Sequence, residues 1–425
     1  MTWRSEHIAV VGAGLAGLRA AERLREKGFA GELTIIGGEH HLPYHRPPLS
    51  KQFLAGELGA RDLALPSYVD LDADWRLGTP VQRLNPAERL LYVHGEPPLS
   101  YDGLVIATGV RSRTLPGAPH RHPRVHMLRT IDDAAALQRS LATSDGPCVI
   151  VGGGFTACEL ASTVRELGHE VILVSRSRVL LGKALGPPVG RAVADLHRDH
   201  GVQVHLGTEV RNWVRNEWGI GVHLNNGKFI VAGCVVLAVG GVPETDWLYG
   251  SGVDISDGVL CGPTCHVAGI PDVVAAGDVA RWPNRRFGPT PRRVEHWLNA
   301  VEMGRAAAES LLAGRAAASP FQPMPRFWSE QYGVRFQAAG VPTLGRRMAR
   351  LSGDARTGPG VIGYLARDTL VGVLGRESPR AMLRWTERLA TSTVPVDAHA
   401  QQRAKPRAQA PRPGRREWTE ARFSA

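Results

Sequence analysis

Long apolar runs are missing from this chain of 425 residues. No window reaches the roughly 18 to 20 consecutive apolar residues that a bilayer-crossing helix needs, so a helical membrane protein is not expected. Cysteine is scarce: five residues, an odd number, at Cys148, Cys158, Cys234, Cys261 and Cys265. That count in so long a chain argues against the disulfide framework of a small secreted protein. Cys261 and Cys265 form a Cys-x3-Cys pair with His266 beside it, too few ligands for a structural metal site, and they read as structural cysteines. The basic start and clean apolar core of a secretory leader are also missing, since Glu6 and His7 precede the first apolar run. The expectation is a cytoplasmic protein with no bound metal. Nor is there a basic helix, zinc motif or aromatic platform, so nucleic acid is not an expected partner.

Charge of one sign is in excess. The net charge is +11, but residues 400–425 hold seven basic and two acidic residues, a balance of +5. That segment, rich in Pro, Ala, Gln and Arg, has no apolar periodicity and reads as a disordered tail. The remainder, about +6, suits an acidic protein partner. Hydrophobic and charged fractions of 43% and 21% are those of a globular protein with room for two or three domains.

Two glycine fingerprints dominate what is present. Gly12-Ala13-Gly14-Leu15-Ala16-Gly17 follows the apolar run Ile8–Val11, and Gly152-Gly153-Gly154-Phe155-Thr156-Ala157 follows Cys148–Val151. Each opens a stretch with helical periodicity (Leu15, Leu18, Ala21 and Leu24 in the first), and each is followed by another apolar run. Such a strand–turn–helix unit cradles a dinucleotide pyrophosphate, because the glycines allow close approach and the helix N-terminus is positive. Two units imply two dinucleotides, and electron transfer between a nicotinamide and a flavin is the usual reason.

The two units differ after their second strands. Glu39 lies 22 residues after Gly17, where a carboxylate accepts hydrogen bonds from a ribose diol. An isolated Glu at a strand end is most often a solvated surface residue, but this spacing favours the binding role. In the second unit Val174 is followed by Ser175-Arg176-Ser177-Arg178, without an acid. Ser and Arg suit a 2′-phosphate, so NADPH is expected over NADH.

The spacing predicts strands over 8–11, 33–36, 148–151 and 171–174 and helices over 15–27, 155–167 and 299–312. A hairpin is expected over 81–95, and another around Asn226-Gly227, a pair that favours a type I′ turn with two positive φ angles. Apolar strands ending in glycine turns are expected at Leu104–Gly109 and Cys234–Gly241, and one closing on an acid at Val273–Asp278. The fold class is therefore α/β, with two Rossmann-like units and a C-terminal α+β domain. The first dinucleotide domain would span 1–115 and resume over 245–322. The second would be inserted at 116–244, the α+β domain would cover 323–395, and the tail 396–425.

The motifs GAGLAG, PYHRPPLSK, ATG, GGGFTACE, AAGDVARWPN, VEHWLNA and PRFWSEQY, in that order, resemble the FAD-dependent ferredoxin reductases of the putidaredoxin-reductase, oxygenase-coupled type. These have the glutathione-reductase fold and are similar to apoptosis-inducing factor. The resemblance spans about residues 6–390. It implies FAD held by Gly12, Gly14, Leu15, Ala16, Gly17 and Glu39, with Arg46, Lys51, Ala107, Thr108 and Gly109 also in contact. Gly277 would also contact FAD, Asp278 would hydrogen-bond the ribityl chain, and Glu295, His296 and Trp297 would flank the flavin ring. It implies NAD(P) held by Gly152, Gly154, Phe155, Thr156, Glu159, Ser175, Arg176 and Gly240. Lys51 and Glu159 are expected to pair near the reacting atoms. An acid is usual in the family at Ser175, so this chain departs from the common NADH pattern. The disulfide reductases of this fold carry a Cys-x4-Cys pair in the loop after the first unit, whereas His40–Leu54 contains no cysteine.

The resemblance implies hydride transfer from NAD(P)H to the flavin N5, then single electrons to an iron–sulfur ferredoxin that feeds a cytochrome P-450 or a dioxygenase. A monomer is expected. An NAD(P)H oxidase or other acceptor reductase, and a redox-sensing protein like apoptosis-inducing factor, remain alternatives.

Overall fold

The computed structural model describes residues 6–215, 219–391 and 419–420. His7–Val11 is the central strand of a five-stranded sheet, in the order Val273–Ala275, Gly103–Ile106, His7–Val11, Glu32–Gly37, Asp74–Leu77. All four pairings are parallel. Ile8, Ala9 and Val10 are fully buried, as expected of a parallel strand covered on both faces. Leu15–Glu26 is the helix after the fingerprint, and its expected apolar residues Leu15, Leu18, Ala21 and Leu24 are all buried. It packs against the helix Trp297–Ala313. Gly304 permits that approach, because a Cβ there would collide with the Ala16 carbonyl oxygen.

The second unit repeats the design. Its sheet runs Gln203–Leu206, Val171–Ser175, Cys148–Val151, Cys234–Leu237, Val125–His126, again all parallel. Phe155–Glu166 is the fingerprint helix. The chain leaves the first sheet along Val110–Ser112 and returns along Gly241–Pro243, and these two strands pair antiparallel. The C-terminal part is an antiparallel sheet in the order Arg326–Gln331, Val334–Gly340, Thr369–Arg376, Gly360–Ala366, Arg347–Gly353, followed by the helix Pro379–Thr391. The architecture is the mixed α/β fold with two Rossmann-like units that the patterning predicts.

Two details differ from expectation. The Asn-Gly hairpin is not type I′: Gly227 has φ 85°, but Asn226 is not in the left-handed region. Ile220–Leu224 and Phe229–Ala232 are in register at His223 and Phe229, and Leu224 N–H donates to Lys228 O. The connection is thus a three-residue loop, Asn225–Gly227, with a single left-handed glycine at its end. The second difference concerns the tail. Most of 396–425 lies outside the described residues, but Thr419–Glu420 is strand rather than disordered, pairing in parallel with Ala349 and Arg350. Arg347–Gly353 would otherwise be the sheet edge, whose unpaired backbone groups are a ready template.

Candidate functional site

A cleft of about 1340 Å³ opens where the first sheet, the second unit and the C-terminal sheet meet. The first fingerprint forms one wall. Gly12 has φ 119°, and a Cβ on it would collide with the Ala107 carbonyl. Gly17 is equally constrained, its Cβ position being filled by the Gly12 carbonyl. Gly14 is different: nothing lies within 4 Å of its Cβ position, and it starts the helix with no side-chain cap. The uncapped N–H groups of Leu15–Glu26 are therefore left for an anion. The second helix, Phe155–Glu166, begins the same way at Gly154, uncapped and open. Ala157, in place of a third glycine, is fully buried.

Glu39 lies two residues past the second strand, Glu32–Gly37, and it is not free. Arg46 Nη2 donates to Glu39 Oε1 at 2.6 Å, and Tyr44 O–H donates to Oε2 at 2.6 Å. Arg46 also donates to Tyr44 Oη and to the Arg129 carbonyl, both at 2.9 Å. Arg129 in turn holds Asp278 at 3.1 Å. Burial pushes the Tyr44 phenol up, so it stays a donor. These contacts tie the PYHRPP loop, the start of the Ile131–Thr143 helix and the Gly277-Asp278 turn into one wall.

Lys51 and Glu159 come from different units and form an ion pair at 2.6 Å. Ser50 Oγ donates to Glu159 Oε2 at 2.8 Å, and Ser329 Oγ donates to Oε1 at 2.7 Å. Phe155 and Phe327 meet edge to face at 5.1 Å beside them. His296 caps the cleft from the start of Trp297–Ala313. Burial holds its imidazole down at about 4, and its Nδ1 is buried without a partner. Trp297 packs on His45 at 4.6 Å. Glu295 turns outward to Arg293 at 2.5 Å.

Gly12, Gly14, Leu15, Ala16, Glu39, Arg46, Lys51, Ala107, Thr108, Gly109, Gly277, Asp278, Glu295, His296 and Trp297 all line the cleft, as do Phe155, Thr156 and Glu159. Gly17, Gly152, Gly154, Ser175, Arg176 and Gly240 lie outside its lining. Ser175 is buried, and its hydroxyl accepts from Ser177 N–H at 3.2 Å. Arg176 is 81% exposed and reaches Glu209 only at 3.8 Å. The two residues expected to share a 2′-phosphate are thus turned apart, one inward and one outward. Sequence reasoning missed Tyr44, Arg129, Ser50 and Ser329. Three of them lie in or beside motifs it had quoted; Arg129 carries no local signal.

The residues present fit a dinucleotide. The helix N-terminus is open, the ribose-distance carboxylate is in place, and buried polar atoms without partners (Thr79 Oγ1 and His296 Nδ1) face the cleft. The five cysteines are buried and unbonded, and Cys261 and Cys265 lie outside the cleft lining. Among the described residues no helix is long and apolar enough to cross a membrane.

Two dinucleotide units converging on one cleft define an oxidoreductase of the flavin- and pyridine-nucleotide-dependent class. The chain belongs to the pyridine nucleotide-disulphide oxidoreductase family, whose model matches residues 6–304, and a reductase C-terminal model matches 326–407. It is 34% identical to a ferredoxin–NAD(P)(+) reductase of Sphingomonas sp., covering 86% of this chain and 88% of that one. It is also 34% identical to the ferredoxin–NAD(+) reductase component of the biphenyl dioxygenase system of Paraburkholderia xenovorans, with 84% and 86% covered. Among solved structures, the covalent putidaredoxin reductase–putidaredoxin complex aligns with a TM-score of 0.85 at 27% identity, over 90% of this chain and 93% of that chain. The family uses FAD and NAD(P)H.

Proposed function

We propose that this chain is an FAD-dependent NAD(P)H:ferredoxin reductase of an oxygenase system, acting as a cytoplasmic monomer on an iron–sulfur ferredoxin with an acidic surface. The observation that carries this is the Lys51–Glu159 ion pair, which joins the two dinucleotide units at the cleft while the loop His40–Leu54 offers no redox cysteine. When bound, FAD accepts hydride and returns electrons singly.

The chain's own residues bind, orient and exclude. Gly12, Gly14 and Gly17 let the pyrophosphate reach the helix N-terminus. Glu39, held by Arg46 and Tyr44, presents its oxygens to a ribose. Asp278, steadied by Arg129, orients the chain toward the ring. Lys51 keeps a positive charge at the flavin edge, and Glu159 orients both Lys51 and the nicotinamide amide. His296, neutral at pH 7, and Trp297 cover one side and keep water out.

We further propose NADPH over NADH. Arg176 and Arg178 are exposed at the end of Val171–Ser175, with Glu209 as the opposing acid. The test is cytochrome c reduction by the purified flavoprotein, with NADH or NADPH, with and without a [2Fe–2S] or [3Fe–4S] ferredoxin. A large ferredoxin-dependent rate, higher with NADPH, is expected. Flavin reduction with no stimulation by any ferredoxin of a broad panel overturns the reading.

A further inference from the structure

The loop after Gln203–Leu206 stands beside Arg176. Val171–Ser175 and Gln203–Leu206 run parallel, with Ser175 level with Leu206. Both chains turn at that point. Gly207, left-handed at φ 65°, donates its N–H to Ser177 O at 3.1 Å. Thr208 is buried, and its N–H donates to Ser175 O at 3.0 Å. The two loops are thus laced together through their backbones, and the next residue along, Glu209, is carried to Arg176.

A third element grips Glu209 from the other side. Asn225 is the residue that strand register adds to the hairpin loop. Its Oδ1 accepts from Glu209 N–H at 3.2 Å, and its own N–H donates to Glu209 O at 3.0 Å. The backbone of Glu209 is therefore fixed on both sides, while its side chain is 54% exposed. Among the described residues the ion-pair partner of that carboxylate is Arg176, at 3.8 Å.

An exposed pair at this separation contributes little to stability. Its placement matters more for a ligand. Arg176 and Arg178 are both exposed, and a phosphate monoester arriving at Arg176 brings up to about two negative charges. It meets a carboxylate already in place. The phosphate must take the guanidinium from Glu209 and then stand near it as a like charge. Both effects weaken the binding of a nucleotide with a 2′-phosphate. Neither acts on one whose 2′-hydroxyl is neutral.

We infer that Glu209 is a specificity-determining residue, a built-in competitor that occupies Arg176 and limits how strongly the second unit prefers NADPH. This rests on the proposal that Arg176 receives the 2′-phosphate. The test is calorimetric titration of the FAD-loaded protein with 2′,5′-ADP and with 5′-AMP. The two ligands differ only in that phosphate and carry no nicotinamide, so neither hydride transfer nor a ferredoxin enters the measurement. Glu209→Gln keeps the size of the side chain and removes its charge. It raises the preference for 2′,5′-ADP over 5′-AMP about 2- to 5-fold, the scale of one solvent-screened charge contact. An unchanged preference in Glu209→Gln, with Arg176→Ala still weakening 2′,5′-ADP, overturns the inference and leaves the NADPH reading standing. Weaker 5′-AMP binding in Glu209→Gln also overturns it, because the carboxylate would then be holding the ribose diol. If Arg176→Ala leaves 2′,5′-ADP binding unchanged, the NADPH reading falls and this inference with it.

Discussion

Lys51 and Glu159 are 15% and 11% exposed, so water screens their attraction little. Glu159→Ala leaves an ammonium facing a phenylalanine-lined wall. For a fully buried pair the loss is about 3–5 kcal/mol, and with water reaching the cleft about 1–3 kcal/mol is expected. Urea unfolding of the apoprotein measures it, and flavin reduction by NAD(P)H should slow as well. Arg176 tests the nucleotide at the same scale. Arg176→Ala should lower kcat/KM for NADPH roughly 10- to 150-fold and leave NADH nearly unchanged, since a charge-assisted hydrogen bond contributes about 1.5–3 kcal/mol. Equal losses for both nucleotides would remove Arg176 from the 2′-phosphate site. Single residues were legible where a motif fixed their place, as with Glu39 and Asp278. Their partners were not: nothing local marks Arg129, 149 positions from Asp278, as the side chain that holds it.

Elements were more legible than residues. Val-, Ile- and Leu-rich runs have one stable home, a parallel strand covered on both faces, and the helices after each fingerprint follow from their 3–4 residue spacing. Less visible was how tightly the glycines are used. A Cβ at Gly17 would meet the Gly12 carbonyl, so Gly17→Ala must push the helix Leu15–Glu26 off its strand. The expected outcome is a destabilised protein purified with little yellow colour, whereas Gly14→Ala, whose Cβ meets no protein atom but would stand where the pyrophosphate approaches the helix, should lose flavin with the apoprotein fold intact. Flavin absorbance per protein together with urea unfolding of the two apoproteins decides this. The Asn226-Gly227 turn shows the limit of such reading. The dipeptide marks the hairpin, but strand register adds Asn225 to the loop and leaves one left-handed residue instead of two.

For the whole molecule, pH acts through buried bases. His197 in the native chain takes a proton only at about 4, against 6.5 ordinarily. Between those values the unfolded chain binds a proton that the native one refuses. Stability is therefore full above pH 6.5 and falls as pH drops toward 4, by about 3 kcal/mol from this group alone. Denaturant titrations at pH 7 and 4.5 should show the drop, and His197→Gln should lessen it. His296 acts with the same sign in the apoprotein.

The strand pair Val110–Ser112 and Gly241–Pro243 bears on the order in which the chain is made. Gly103–Ile106 leaves the ribosome early, but its neighbour Val273–Ala275 follows only after the whole second unit has been synthesised. Until then the first sheet stands with one side bare. The second unit has all five of its strands by Leu237 and can close first. When it does, the antiparallel pair brings its two ends together, and a long excursion shrinks to a short loop between waiting neighbours. The later-made unit thus serves as the clamp that lets the earlier one finish.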